Sequence, residues 1–168
     1  MCSSDLYAYL ADHPEIAMPR TKEAPFFDGD ICDATAWQQF SGQHFAGAES
    51  KLWGKASPQY MGHPEAASRI HALMPKTRLI AILRDPVQRA WSHYQMERRR
   101  ELEPRSFDQA VTELLQPQQL SHARQSVPPR HAHGFEPEQA FYLAWSEYGR
   151  ILADYLEWFP REQLLVLT

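Results

Sequence analysis

Residues 76–100 read KTRLIAILRDPVQRAWSHYQMERRR. Leu79-Ile80-Ala81-Ile82-Leu83 is a short unbroken apolar run, the pattern of a parallel strand buried on both faces. Arg84-Asp85-Pro86 ends it. Asp85 suits a helix N-cap, and Pro86 suits the first turn, where an N–H has no intrahelical partner. Val87, Ala90, Trp91 and Tyr94 then recur at helical spacing. The stretch therefore predicts strand, loop and helix, with Arg84 at the strand's carboxyl end and Ser92 about two turns along the helix. In open α/β sheets ligands bind outside such strand ends. A guanidinium fork facing a hydroxyl is a competent phosphate site. The same letters also describe a strand-to-helix turn with a surface arginine.

Upstream, Ala66, Ile70 and Leu73 predict a helix within Gly62–Met74 that crosses over from a short strand at Leu52–Lys55, giving a βαβ unit. Downstream, Ser106 can cap an amphipathic helix over Phe107–Leu115. Residues Gln116–Gln139 hold Pro117, Pro128, Pro129 and Pro137 and read as a loop insertion. Within it His131-x-His133 has two metal-type donors, but no third ligand is evident. Ala140–Phe159 reads as one long helix, and Leu164–Leu167 as a strand. At the other end, Ser3 or Ser4 can cap a helix that runs to about Asp12. Ile16–Asp28 is short and punctuated by prolines. Asp30–Ser50 suggests a short helix and a loop.

The 168 residues, 43% of them apolar, make a single domain with room for a core. No apolar run approaches a membrane span, and the start has no signal-peptide pattern. Cys2 and Cys32 form no disulfide framework and point to a reducing compartment. The net charge of −4 argues against a nucleic-acid partner. Arginines nevertheless crowd residues 78–105, which suits a small anionic ligand.

The segment ILRDPVQRAWSHY closely resembles the 3′-phosphate-binding element of the sulfotransferases that use PAPS (3′-phosphoadenosine 5′-phosphosulfate), a strand followed by R-[DN]-P-x-x-R-A-x-S-x-[YW]. The resemblance assigns Arg84 and Ser92 to the 3′-phosphate. SSDLYAYLADHPEIAMPRTKEAPFFD is similar to the family's K-x-G-T-[ST] phosphate loop, its helix, an H-P-x-[IV] stretch and K-E-x-x-[FW]-[FW]. Aligned on Leu6-Tyr7, Ser3 and Ser4 take the Thr-Ser/Thr positions beside the 5′-phosphosulfate. The loop lysine would fall before Met1, and the family's first strand is absent. In Lys22-Glu23-Ala24-Pro25-Phe26-Phe27, Glu23 matches the general base of carbohydrate sulfotransferases, while Pro25 replaces the family histidine. KLWGKASPQY resembles G-E-[KA]-[ST]-P-x-Y, with Lys55 in the place of a glutamate. YLAWSEYGRILADYLEWFPREQLLVL resembles the family's closing helix and strand.

The resemblance implies a P-loop nucleotide-kinase-like α/β fold of three layers around a mainly parallel sheet. It implies PAPS as co-substrate, PAP as product, no metal, and a glycan or small-molecule acceptor. Arg84, Ser92, Ser3 and Ser4 would bind the nucleotide. Glu23 would act as base, with Lys55 a charge near the reaction. Gln116–Gln139 would line the acceptor cleft. Bacterial members are cytoplasmic and animal ones lie in the Golgi, so a cytoplasmic enzyme is expected unless the source is an animal. The second reading is a truncated, inactive relative that at most binds PAP. A phosphotransferase on the same fold would need a G-x-x-x-x-G-K-[ST] loop, which the sequence lacks.

Overall fold

The computed structural model describes residues 3–127 and 138–168. The elements in order are α1 (Ser3–Ala11), β1 (Ile16–Ala17), α2 (Ala34–Phe45), β2 (Leu52–Trp53), α3 (Gln59–Gly62), α4 (Ala66–Leu73), β3 (Leu79–Ile82), α5 (Pro86–Arg99), α6 (Phe107–Leu114) and α7 (Pro117–Gln125). A 3₁₀ turn at Ala144–Ser146, α8 (Tyr148–Leu156), a second 3₁₀ turn at Arg161–Gln163 and β4 (Leu164–Leu167) complete the chain.

The architecture is α/β with parallel pairing, as expected. The strands do not form one continuous sheet. β1 pairs with β2, and β3 pairs with β4 from Leu79↔Leu164 to Ile82↔Leu167. The expected unit running from β2 through α4 to β3 is thus corrected: among the described residues those strands lie in separate sheets. Along the chain, α2 connects the strands of the first pair and α5–α8 lie between those of the second. β1 was not legible, because two residues leave no periodicity to read. The two sheets share one core. Phe26, Phe27, Phe40, Phe45, Tyr60 and Phe159 form its buried centre, with Ala17 of β1 and Leu79 of β3 packed against it.

β3 is not buried on both faces. Ile80 is 46% exposed, and Leu165 across the ladder is 51% exposed. The apolar run reported strand propensity; which face is covered depends on what packs there.

Local signals in α5 hold. The Asp85 carboxylate accepts from the Gln88 N–H at 2.8 Å, and Pro86 opens the first turn. Its buried face differs from the apolar spacing, however. Ala90, His93, Tyr94 and Glu97 are buried, whereas Val87 and Trp91 are exposed. Two polar residues go inside because partners distant in sequence satisfy them, as described below. Ser106 forms a full capping box with Gln109 on α6.

The loop read across Gln116–Gln139 contains α7, which Pro117 opens at a position that tolerates proline. His131 and His133 lie outside the described residues. The long helix expected over Ala140–Phe159 is corrected: α-helix covers only Tyr148–Leu156, after turns and the 3₁₀ turn, and it begins beyond Glu147. That residue is drawn to Arg124 of α7 at 2.8 Å and to Arg150 at 3.0 Å, and its backbone leaves helical geometry. Among the described residues, no helix is long and apolar enough to cross a membrane.

Candidate active site

The parallel strands direct their carboxyl ends to the segments that carry the candidate residues. Glu23 lies in the segment after β1, Lys55 two residues beyond β2, and Arg84 two residues beyond β3. In open α/β sheets ligands bind outside such strand ends.

Glu23 sits in a turn with φ +61°, a left-handed conformation that costs a non-glycine residue on the order of 1–2 kcal/mol. Its carboxylate pairs with Lys22 at 2.8 Å and stays one-third exposed. The turn beyond it is held tightly. The Phe26 N–H donates to the Asp28 carboxylate at 2.9 Å, and the Phe27 N–H donates to the Tyr60 hydroxyl at 3.2 Å. Arg69 of α4 donates to the Phe27 carbonyl at 3.0 Å and to the Gly29 carbonyl at 2.7 Å. Gly29 is required here, since a Cβ would stand 2.8 Å from the Phe26 carbonyl oxygen.

Lys55 reaches this turn. Its ammonium donates to the Ala24 carbonyl and lies 4.7 Å from the Tyr60 ring centroid and 5.7 Å from that of Phe40. Burial pulls its pKa down to about 8, opposed by the negative charges of Asp28 and Glu23. The same apolar surroundings and the Asp28 charge push the Tyr60 hydroxyl far upward. Asp28, Tyr60 and Arg69 were not singled out from the sequence. Tyr60 closes the G-E-[KA]-[ST]-P-x-Y pattern and was the one available signal.

Arg84 and Ser92 are both exposed. The β3–β4 ladder runs up to Arg84, because the Leu83 N–H donates to the Leu167 carbonyl at 2.8 Å. Arg84 itself makes a 3.4 Å contact with the Arg89 carbonyl. Ser92 stands about 9 Å along α5 from Pro86, at roughly 1.5 Å per residue. Ser3 and Ser4 open α1, at the end where backbone N–H groups have no intrahelical partners.

Beneath this surface lies a buried polar network that the sequence did not reveal. Arg89 donates to the Tyr142 carbonyl at 3.1 Å and lies 5.4 Å from the Trp145 ring centroid. It also contacts His93 Nδ1 at 3.2 Å, while His93 Nε2 lies 2.8 Å from Glu138. Glu97 accepts from the Glu138 N–H at 3.1 Å and from Arg100 at 3.0 Å. Burial lowers the pKa of His93, and Arg89 is brought down to about 10 by the same cause.

His93, Glu97 and Glu138 bring donor atoms within 4.8 Å of one another, as a metal site would. Their hydrogen bonds argue otherwise. Arg89 can only donate, so Nδ1 accepts and Nε2 carries the proton toward Glu138. A cation at Nε2 would require the opposite tautomer and would sit near the Arg89 guanidinium. The trio is a relay that ties α5 to the chain around residues 138–146.

The sulfotransferase family model matches residues 4–150. The chain belongs to the sulfotransferase family. A crystal structure of a sulfotransferase from Alicyclobacillus acidocaldarius superposes with a TM-score of 0.69 at 29% identity, over 98% of this chain and 66% of that one. A membrane-associated sulfotransferase of Dictyostelium discoideum is 34% identical over 87 residues, which is 51% of this chain and 18% of the relative. The human bifunctional heparan sulfate N-deacetylase/N-sulfotransferase 3 is 27% identical over 96% of this chain and 18% of its own length. A mouse heparan sulfate glucosamine 3-O-sulfotransferase is 33% identical over 53% of this chain and 25% of its own. The sulfotransferase chain thus spans a quarter or less of these curated relatives.

Proposed function

We propose that the protein transfers the sulfuryl group of PAPS to a carbohydrate hydroxyl, releasing PAP and a sulfate ester. The observation that carries this reading is that Lys55, beyond β2, reaches the turn of Glu23 through the Ala24 carbonyl, while Arg84 follows the carboxyl end of β3. The heparan sulfate relatives support a glycan acceptor.

In this reading Arg84 and Ser92 bind the 3′-phosphate through charge-assisted hydrogen bonds. The N-terminus of α1, with Ser3 and Ser4, borders the 5′-phosphosulfate. Glu23 removes the acceptor proton as the hydroxyl oxygen bonds to sulfur. The bond from sulfur to the bridging oxygen breaks, and its electron pair leaves with PAP. No covalent enzyme intermediate is needed, so orientation and charge placement supply the rate. Cys32 stands as a free thiol, which suits a reducing, cytoplasmic setting.

The test is calorimetric titration of the protein with PAP and with adenosine 5′-phosphate, followed by transfer from labelled PAPS to a desulfated heparan-type polysaccharide. Tighter binding of PAP and label in the polysaccharide are expected. PAP binding without any transfer would reduce the protein to a nucleotide-binding relative. Equal affinity for the two nucleotides would remove the 3′-phosphate site.

A further inference from the structure

The Lys55 ammonium is not presented as a free surface cation. It is spent inside the protein, on the Ala24 carbonyl and against two aromatic rings. A lysine that gripped an anionic acceptor would have to abandon all three contacts. The residue before Ala24 is Glu23, which holds a left-handed backbone conformation. Such a conformation persists only where its surroundings determine it.

Those surroundings are unevenly distributed. Tyr60 and Arg69 secure Phe27 and Gly29, on the far side of the turn. Within the turn, the Ala24 N–H reaches the Thr21 carbonyl at 3.3 Å, a long hydrogen bond. Among the hydrogen bonds from outside the turn, that of Lys55 falls on the residue adjoining Glu23.

We infer that Lys55 is a positioning residue for Glu23: its ammonium pins the Ala24 carbonyl, fixes the left-handed turn, and holds the Glu23 carboxylate at the mouth of the site. The inference rests on the reading of Glu23 as the base. The aromatic walls from Tyr60 and Phe40 set where the amine can stand. Asp28 and Glu23 supply the opposite charges that face it.

The experiment compares Lys55→Met, Lys55→Arg and Glu23→Gln with the parent protein. It reads amide hydrogen exchange at Ala24, Phe27 and Gly29, affinity for PAP, and transfer kinetics with labelled PAPS and desulfated heparan-type polysaccharide. For Lys55→Met, exchange at Ala24 should quicken at least tenfold while amides in β3 and α5 are unchanged. PAP affinity should stay within twofold. The kcat should fall at least tenfold, with the acceptor KM within twofold. Lys55→Arg should recover part of both the protection and the rate.

A raised acceptor KM with unchanged kcat and unchanged exchange would make Lys55 a substrate-binding cation and overturn the inference. Glu23→Gln with full turnover would instead remove the base reading, leaving the effect of Lys55 on exchange intact. Unchanged exchange at Ala24 in Lys55→Met overturns the inference whatever the turnover, so the clamp is decided even without an acceptor.

Discussion

The two halves of the candidate site are rigid for opposite reasons. Around β1 and β2, the functional groups are themselves fixed: Glu23 lies in a constrained turn, and Lys55 is enclosed by Tyr60 and Phe40. Around β3, Arg84 and Ser92 stand exposed, and the order lies one layer below, where Arg89, His93 and Glu138 hold α5 in place. A base must be aimed before the acceptor arrives. A phosphate brings its own charge and oxygen atoms, and two flexible donors can close on it. The contrast suggests that mutations in the first half change turnover, whereas those in the second change nucleotide affinity.

The comparison is most easily broken at Glu23. Glu23→Gln should lower transfer at least about 100-fold, the lower range for losing a general base, and leave PAP affinity unchanged. Loss of PAP binding in that variant would merge the two halves. Arg84→Ala should weaken PAP by roughly 10- to 100-fold through a lost charge-assisted pair, with little change for adenosine 5′-phosphate. Calorimetry reads both, and equal losses for the two nucleotides would place Arg84 elsewhere.

Arg89→Met sharpens the second half, because it leaves His93 Nδ1 without its donor and takes from the Tyr142 carbonyl one of two donors, the Ser146 hydroxyl being the other. Urea unfolding should show a loss of about 2 kcal/mol, while Glu23-side amide exchange stays as it was.

The smallest effect is in the pH dependence of stability. The His93 pKa is lowered on folding, so the unfolded chain binds the proton more readily. The neutral ring's contribution is fully present above its ordinary value of 6.5 and is lost as the pH falls through the folded value. His93→Gln should flatten unfolding midpoints below pH 6.5. Lys55, lowered to about 8 from 10.5, makes stability rise with pH across that interval, and Lys55→Met should remove this slope.

What could be read directly was what neighbours in sequence decide. The strand at Leu79–Ile82, the cap at Asp85, the proline after it and the capping box at Ser106 all rest on contacts within a few residues, and all are present. The letters Arg84-Asp85-Pro86 through Ser92 also carried the family. The faces of these elements were not legible. Val87 and Trp91 share the apolar spacing of Ala90 and Tyr94 yet are exposed, whereas the polar His93 and Glu97 are buried. Their burial is possible because Glu138, about forty residues away, completes their hydrogen bonds, and no local pattern encodes that meeting. Tertiary structure likewise separated β2 from β3, confined the last helix to Tyr148–Leu156, and turned Lys55 from a charge of open purpose into a contact on the turn that carries Glu23. Sequence by itself determined the β3–α5 segment, the caps at Asp85 and Ser106, and the family, because propensity and capping act over a few residues. Which groups face one another was decided only by packing, because burial and hydrogen-bond satisfaction are settled between segments far apart in the chain.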